Sequence, residues 1–324
     1  MFGLEKYHDV LTAHINATQQ YGEPRNLYEP IEYILGLGGK RLRPVLTLMT
    51  ADLFGGSIEK ALDAALAIEV FHNFTLVHDD IMDDAPLRRG QITVHEKWDI
   101  NTGILSGDAM LIKGYQLFES YSPDMFKRLT ALYSKTAIEV CEGQQYDVDF
   151  ETRNDVTIDE YLKMIEYKTA VLVGAAMQMG SIIAGASEAH QKSIYAFGKN
   201  LGIAFQLQDD YLDAFGNSET FGKQVGGDII ENKKTYLYLK AIQFADTDQK
   251  EELLKLYGAY SGEPTVKVQR VKDIFIQSGA QKATKEAIEL FTNKAFAELD
   301  KLNLDGDQRQ TLVDFGNQLM NREV

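Results

Sequence analysis

Hydrophobic residues recur three and four residues apart along most of the chain, which is the spacing of one face of an α-helix. The first half carries this pattern over residues 4–21, 30–35, 57–84, 100–119 and 124–150, with a further helix beginning at Pro44. The second half carries it over 157–183, 187–214, 233–245, 248–257, 265–278, 281–302 and 307–321. No segment alternates as a half-buried strand does, and no change of composition marks a linker. The pattern predicts an all-α protein with residues 1–324 in a single domain, with a peripheral C-terminal subdomain as the alternative.

The composition is that of a folded, acidic protein. Of the 324 residues, 44% are hydrophobic and only 6 are proline, which favours a large core and long uninterrupted helices. The formal net charge of −15 excludes a general electrostatic attraction to nucleic acid or to anionic membranes. The single cysteine, Cys141, excludes an internal disulfide bond, and no run reaches the roughly 18 apolar residues of a membrane span. We therefore expect a cytoplasmic protein.

Two acidic segments with the same spacing end two of the predicted helices. They are Asp79-Asp80-Ile81-Met82-Asp83 and Asp209-Asp210-Tyr211-Leu212-Asp213. Residues four apart share a helix face, so the first and last aspartates of each segment lie side by side. Such like-charged pairs destabilise a helix by about 0.2–0.5 kcal/mol, and Mg²⁺ prefers carboxylate oxygens. The repetition predicts divalent-cation sites, although each segment alone also fits a solvated helix surface. Asp84, which follows the first segment, is the aspartate that best fits a surface charge.

Basic residues cluster at a few places against this acidic background. The first cluster is Gly38-Gly39-Lys40-Arg41-Leu42-Arg43, just before a predicted helix, and the second is Arg88-Arg89-Gly90. Lys168 lies within a long helix, and the glycine-rich loop 215–234 contains Lys223 and Lys233. Arginine and lysine bind phosphate, and glycines before a helix start favour anion binding. Together with the aspartates, these clusters predict a diphosphate held between cations, although each alone also fits solvated or helix-end charges.

The joint occurrence and order of these motifs resemble the trans-isoprenyl diphosphate synthases of the polyprenyl synthetase family. The segment 38–44 matches the family's Gly-Gly-Lys-Arg-x-Arg-Pro element, and 79–83 with 88–90 matches its first aspartate-rich motif with the arginines that follow. Lys168-Thr169 matches its central Lys-Thr pair, and 205–213 its second aspartate-rich motif. The resemblance spans nearly the whole chain. It implies a helical bundle of the isoprenoid synthase type with a central cavity, and a homodimer.

The resemblance also implies an activity and a role for each matching residue. The activity is head-to-tail (1′-4) condensation of isopentenyl diphosphate with dimethylallyl, geranyl or farnesyl diphosphate, with three Mg²⁺ ions. The implied metal ligands are Asp79, Asp83 and Asp209, supported by Asp80, Asp210 and Asp213. The residues implied to bind the allylic diphosphate are Arg88, Lys168, Lys223 and Lys233, and those for isopentenyl diphosphate are Lys40, Arg43, His72 and Arg89. Thr169 and Gln206 would place oxygen dipoles near the allylic carbocation, with Lys168 beside them.

The helix before the first acidic segment is expected to line the space into which the product grows. Phe71, Phe74 and Thr75 fall within an arc of about 100° and can face one cavity. In the family, an aromatic residue five positions before an uninterrupted first motif accompanies short products, so Phe74 is the expected floor. The resemblance favours a C20 product over C15. The alternative for both phenylalanines is a plain role in the core.

Other classes of protein remain as alternatives. A class I terpene cyclase shares the all-α fold but is not expected to carry the segment 38–44 or a second Asp-Asp-x-x-Asp. A non-catalytic partner subunit usually lacks one aspartate motif, whereas both are intact here. A metal-storage bundle has no need of the arginine pair. The sequence therefore predicts a short-chain prenyltransferase of the geranylgeranyl or farnesyl diphosphate synthase type.

Overall fold

The computed structural model describes residues 4–18, 22–216, 226–258 and 260–320, and it confirms the all-α fold class. The helices of the first half are α1 Glu5–Thr18, α2 Arg25–Gly36, α3 Leu42–Leu53, α4 Ile58–Met82, α5 Val94–Lys97, α6 Ile100–Gln116 and α7 Pro123–Thr152. Those of the second half are α8 Ile158–Ile165, α9 Val171–Ile183, α10 Glu188–Phe215, α11 Gly227–Ile230, α12 Tyr236–Phe244, α13 Thr247–Tyr257, α14 Pro264–Gln277, α15 Ala280–Leu299 and α16 Gly306–Met320. None of the helices in the described ranges is long and apolar enough to cross a bilayer.

The chain divides into two compact units. Unit 1 comprises Met1–Lys135 and Ala175–Tyr195, and unit 2 comprises Thr136–Gly174 and Ala196–Val324. The division falls within α7, α9 and α10, so each of these helices contributes a segment to both units. The expectation of a single domain stays a prediction.

Unit 1 is organised around α4. The side chain of Ser57 caps this helix by accepting a hydrogen bond from the Lys60 amide, at 3.2 Å. Helix α4 has buried apolar side chains on all its faces, and it packs against α3 and α6. This is expected for a helix in the centre of a core. At Gly180 on α9, a Cβ atom would lie 2.2 Å from the carbonyl oxygen of Thr47 on α3. Only glycine allows these two helices to approach so closely.

Unit 2 has its own hydrophobic core. Helix α8 begins with a capping box, in which Thr157 and Glu160 exchange hydrogen bonds with each other's backbone. Its buried side chains join an apolar cluster with residues of α10, α12, α13, α14 and α15. Between α8 and α9 the backbone forms a π-helical turn, Glu166–Ala170. This turn is inserted where the sequence pattern predicted one continuous helix over 157–183.

Two helix starts and one hairpin are among the differences from the sequence-based expectation. Helix α2 begins at Arg25 rather than Pro30, because Pro24 is its N-cap and Pro30 is accommodated inside the helix. Helix α3 begins at Leu42, two residues before Pro44. The expectation of no strands was wrong for one hairpin, in which β1 Leu87–Arg88 pairs antiparallel with β2 Gln91–Ile92. Strands of two residues are too short for alternation to reveal them.

Candidate active site

The first acidic segment lies at the C-terminal end of α4, in unit 1. Asp83 is the C-cap, and its amide donates to the Asp79 carbonyl at 2.9 Å, so helical geometry persists through the segment. Asp79 is partly buried and Asp83 is exposed, and the four-residue spacing places them on one helix face. Asp80 is different, because only 1% of it is exposed. Asp80 therefore lies inside the protein, and its expected role in supporting the metal ligands stays a prediction.

The hairpin supplies the partner of Asp80. Arg88 donates from Nε to Oδ1 of Asp80 at 2.9 Å, and a second guanidinium nitrogen donates to the same oxygen. The other carboxylate oxygen, Oδ2, is buried and has no hydrogen-bond partner among the described residues. Arg89 and Gly90 occupy the two turn positions with φ of 53° and 74°, as a type I′ turn requires. The turn thus places the two adjacent arginines in different surroundings.

Arg89 meets the glycine-rich loop between α2 and α3. Its guanidinium donates to the carbonyl of Gly38, and a Cβ atom on Gly39 would lie 2.7 Å from Cζ of Arg89. Gly39 also has a φ of 124°, which side-chain-bearing residues rarely adopt. Arg41 points back into the fold, donating to Thr12 Oγ1 at 2.9 Å and to the Leu35 carbonyl at 3.0 Å. Arg41 therefore anchors the loop, and Lys40 is exposed at its tip.

Arg43 and His72 form a pair below this loop. A guanidinium nitrogen of Arg43 donates to Nε2 of His72 at 3.2 Å, which fixes the neutral tautomer with the proton on Nδ1. Burial and the charge of Arg43 hold the pKa of His72 well below its usual value. Nearby, burial raises the pKa of Glu69, and the charges of Arg41, Arg89 and Arg43 oppose that rise. Glu69 is held by Asn73, which donates to Oε1 at 3.0 Å.

The residues expected to set product length lie on the adjoining part of α4. Phe71 and Phe74 are buried, with ring centroids 5.6 Å apart. Phe71 also packs edge-on against Tyr133 of α7, at 5.4 Å, whereas Phe74 packs against His78, at 4.8 Å. The hydroxyl of Thr75 donates to the His72 carbonyl at 2.8 Å. Phe71 therefore belongs to an aromatic cluster of the core, and Phe74 lies between that cluster and the aspartates.

An apolar cavity of about 200 Å³ lies in the same unit, between α1, α2, α4 and α6. From α4 it is lined by Leu66 and Val70. Val70 precedes Phe74 by four residues, so the cavity lies about one helical turn further from the aspartates than Phe74.

The second acidic segment lies on α10, in unit 2. Asp209 is partly buried, whereas Asp210 and Asp213 are buried. Asp210 accepts hydrogen bonds from the Tyr161 hydroxyl and, at 3.0 Å, from Nε2 of Gln206. Burial and the charges of Asp228 and Asp209 nevertheless raise the pKa of Asp210 well above its usual value. This crowding of carboxylates is the electrostatic condition that a cation would relieve.

The π-helical turn carries Lys168 and Thr169 next to this segment. The Thr169 hydroxyl donates to Oε1 of Gln206 at 3.3 Å, so Thr169, Gln206 and Asp210 form one chain of hydrogen bonds. Lys168 Nζ is 2.5 Å from Oδ2 of Asp147 on α7. Short π-helical insertions occur frequently at functional sites. The structure thus joins Thr169 and Gln206, the two residues expected near the carbocation, by a hydrogen bond. Their roles, and that of the adjacent Lys168, stay predictions.

Two glycines leave room for the π-helical turn. A Cβ atom on Gly143 of α7 would lie 2.2 Å from the amide nitrogen of Lys168. A Cβ atom on Gly202 of α10 would lie 2.7 Å from the Cα atom of Ala170. Larger residues at either position would displace the turn.

The lysines of the loop after α10 were also expected to bind diphosphate. Lys233 contacts Glu231 at 2.9 Å and Asp228 at 3.6 Å. Burial lowers the pKa of Lys233, but the hydrogen bond with Glu231 and the nearby acidic charges outweigh burial and raise it overall. The Asp228 amide donates to Oδ2 of Asp213 at 3.0 Å, which ties this region to the second acidic segment. Lys223 lies outside the described residues.

Several residues of the site were missed by sequence reasoning. They are Glu69, Asp147, Tyr161 and Asp228. Two of them had a signal: Glu69 is an acid with apolar neighbours on both sides in α4, and Asp147 lies four residues after Gly143, a glycine inside α7. Glycine inside a helix is unfavourable and often has a packing reason. Tyr161 and Asp228 had none, because only the fold brings them to the site.

Each acidic segment, taken by itself, offers carboxylates that fit Mg²⁺. Mg²⁺ is bound through one or two carboxylates together with substrate phosphates and water. In unit 1, Asp79 is partly buried and Asp83 is exposed, and in unit 2, Asp209 is partly buried. The buried, unpartnered oxygen of Asp80 and the raised pKa of Asp210 are the signs of negative charge in need of a cation.

Comparison with known proteins decides the family. A sequence model of the polyprenyl synthetase family matches residues 24–275. The chain belongs to this family. It is 36% identical to the short chain isoprenyl diphosphate synthase of Methanothermobacter thermautotrophicus over 289 residues, which cover 89% of this chain and 83% of the relative.

Solved structures of family members agree. A geranylgeranyl pyrophosphate synthase structure is 54% identical, covers 99% of both chains and superposes with a TM-score of 0.94. The geranylgeranyl pyrophosphate synthetase from Pyrococcus horikoshii is 33% identical, covers 99% of this chain and 98% of its own, and has a TM-score of 0.92. As a polyprenyl synthetase family member, the chain is a prenyltransferase of the short-chain prenyl diphosphate synthase type, which confirms the prediction from the sequence.

Proposed function

We propose that the chain condenses isopentenyl diphosphate with allylic diphosphates head-to-tail, and that its main product is the C20 diphosphate. The main support within the molecule is the basic group of unit 1, formed by Arg43 and Arg89 near a neutral His72, with Lys40 exposed on the adjoining loop. A second diphosphate needs cations of its own, and clustered cations are distinctive in a chain of net charge −15. The geranylgeranyl diphosphate synthases among the relatives support the C20 assignment.

The basic group of unit 1 is prepared for an anion. Arg43 has a buried Nε without a hydrogen-bond partner in the described ranges. Burial and the charge of Arg89 lower the pKa of Arg43. The lowered pKa indicates that cations lie close together where solvent is largely excluded. A bound diphosphate would offset the repulsion between these cations. Before the diphosphate binds, the buried carboxylate of Glu69 holds the cations together. Lys40, Arg43, His72 and Arg89 are therefore assigned to isopentenyl diphosphate.

The allylic diphosphate is assigned to Asp79, Asp83 and Asp209 through Mg²⁺, and to Arg88, Lys168, Lys223 and Lys233 directly. Family membership makes Mg²⁺ dependence the general expectation, and three ions are part of the proposal. When bound, Mg²⁺ neutralises charge that develops on the departing diphosphate. The supporting carboxylates are Asp80, Asp210 and Asp213.

The reaction then needs few groups from the protein. The C1–O bond of the allylic substrate breaks, and its electron pair leaves with the diphosphate. The double bond of isopentenyl diphosphate supplies the electrons of the new C–C bond to C1. A proton is lost from C2 of the former isopentenyl unit, forming the new double bond, and the departing diphosphate accepts it. The chain of Thr169 and Gln206 places oxygen dipoles next to the positive charge and shields it from water.

The functional unit is proposed to be a homodimer. Helix α6 exposes four large aliphatic side chains in the described structure: Ile100, Ile104, Leu105 and Ile112, each at least 41% exposed. Grouped apolar exposure on one helix indicates an interface. Light scattering at micromolar concentration tests this assignment, and a mass of 36.4 kDa would contradict it.

Product analysis tests the activity. We expect the protein, with Mg²⁺ and isopentenyl diphosphate, to extend dimethylallyl, geranyl and farnesyl diphosphate to the C20 diphosphate. Asp209→Asn should reduce the rate by at least about 10²-fold, whereas the exposed Asp248→Asn should not. No product from any allylic substrate would favour a partner subunit. Conversion of an allylic diphosphate to hydrocarbon without isopentenyl diphosphate would favour a cyclase.

A further inference from the structure

A second group of metal-ligating side chains lies in unit 1, outside the assigned ligands. Asp84, His95 and Glu96 each place one ligand atom within 4.8 Å of the others. Asp84 and Glu96 are exposed, so water can complete the coordination of an ion between them. Neither residue belongs to the site proposed above, in which Asp83 is the last metal ligand of the first acidic segment.

His95 is the independent reason to expect a ligand. Its side chain is only 4% exposed, and both ring nitrogens are buried without a hydrogen-bond partner among the described residues. Oε1 of Glu96 is 3.8 Å from Nε2 of His95, beyond hydrogen-bond distance. Buried imidazoles normally have partners, and an orphaned one calls for an explanation such as an absent ion.

The local fold holds the three residues at the base of the hairpin loop. The Thr93 hydroxyl donates to the Ala85 carbonyl at 2.8 Å, and its amide donates to the Pro86 carbonyl at 3.2 Å. These bonds join the two ends of the loop, so that Asp84 at one end faces α5 at the other. Thr93 is also the N-cap of α5, whose first residue, Val94, immediately precedes His95.

We propose that Asp84, His95 and Glu96 bind one transition-metal dication of the Zn²⁺ type, distinct from the catalytic Mg²⁺. Imidazole nitrogen suits Zn²⁺, whereas Mg²⁺ takes oxygen ligands. One imidazole and two carboxylates leave at least one position for water, as in open zinc sites. Tetrahedral geometry with bonds of about 2.0–2.1 Å places ligand atoms roughly 3.3 Å apart. Side-chain rotations that move the ligand atoms by about 1 Å would bring them to this spacing. The ion would link the two ends of the hairpin loop that carries Arg88 and Arg89.

Metal binding to the full chain tests the site without an activity assay. Protein stripped with a chelator, free of Mg²⁺ and diphosphate, is titrated with Zn²⁺ by calorimetry and with Co²⁺ by visible absorption. The same titrations are repeated on Asp79→Asn/Asp209→Asn, which removes ligands from both aspartate motifs. The matched control is His14→Gln, because His14 pairs with a single carboxylate, Asp63, at 3.0 Å.

The expected result is one ion per chain in the wild type and in the aspartate-motif variant, with a Co²⁺ d–d band in both. His95→Ala should weaken binding at least tenfold, and so should Asp84→Asn and Glu96→Gln, while His14→Gln should change it less than twofold. The two carboxylate variants alter exposed side chains, so they decide the question if His95→Ala does not fold. Loss of binding in the aspartate-motif variant, or unchanged binding in Asp84→Asn and Glu96→Gln, would overturn the proposal.

Discussion

Replacing Gly143 by alanine perturbs the π-helical turn from outside the reacting residues. The added Cβ atom would lie 2.2 Å from the amide nitrogen of Lys168 and 2.6 Å from the carbonyl carbon of Tyr167. Ordinary contacts of this kind begin at 3.4 Å, so about 1.2 Å of clearance is lacking (3.4 minus 2.2). The atoms in conflict belong to the backbone and cannot rotate away. Either α7 or the turn itself must therefore move by about 1 Å.

A displacement of this size has a calculable effect. A 1 Å misplacement of a positioned group costs about 10²-fold in rate, and overpacking costs about 1–3 kcal/mol of stability. We therefore expect Gly143→Ala to fold, to lose about 1–3 kcal/mol, and to show a kcat about 10²-fold below wild type. Lys168 and Thr169 move together, because both lie on the turn.

Steady-state prenyl transfer at saturating substrates, with urea denaturation in parallel, measures both effects. Gly36→Ala is the matched control, since Gly36 is helical and no atom lies within 4 Å of its added Cβ. Gly202→Ala, with 2.7 Å to Ala170, should be milder than Gly143→Ala. A folded Gly143→Ala enzyme with a kcat within threefold of wild type would contradict this prediction, because either α7 moved instead of the turn or Lys168 and Thr169 take no part in the reaction.

Three further predictions concern unit 1. Phe74→Ala should lengthen the main product by at least one isoprene unit in a product-sizing assay, whereas Phe71→Ala should chiefly lose about 3–5 kcal/mol of stability; unchanged product length would remove Phe74 as the floor. Because the pKa of His72 is depressed in the fold, the unfolded chain gains its proton first as the pH falls below about 6.5. The free energy of unfolding should then fall by up to about 1.4 kcal/mol per pH unit. Urea titrations from pH 7.5 to 5 should show a smaller dependence on pH in His72→Gln than in the wild type. The same dependence in both proteins would contradict a depressed pKa of His72. Gly39→Ala, which pushes on the flexible end of Arg89, should raise KM for isopentenyl diphosphate about tenfold with little loss of kcat, and an unchanged KM would separate Arg89 from that substrate.

The sequence was sufficient for the fold class and for most helices, because helical periodicity is strong in long amphipathic segments. It failed where local geometry departs from a regular helix. The hairpin at Arg88 escaped notice because its turn is Arg-Gly rather than the usual Asn-Gly. The π-helical turn at Lys168 was read as α-helix, since one extra residue does not break a pattern of apolar positions over 26 residues (158–183).

The motifs of the site were predictable as chemistry, and their neighbours were not. Two aspartates of one segment share a face by spacing alone, which needs no tertiary information. The partners of Asp210 and Lys168 come from other helices, so only the fold could identify Tyr161 and pair Asp147 with Lys168. The sequence also could not show that Asp80 would be buried against Arg88, because the burial of a charged residue depends on what packs around it.

The π-helical turn has a consequence for how this chain can change in length. An α-helix advances about 100° per residue, but a π-helical turn takes up one extra residue without passing that rotation on to the helix that follows. Removing one residue from 166–170 should therefore convert the turn to α-helix and leave Gly180 opposite Thr47. The same deletion would change how Lys168 and Thr169 face Asp147 and Gln206. The fold should therefore tolerate a shorter segment here, whereas the hydrogen bonds of the site should not.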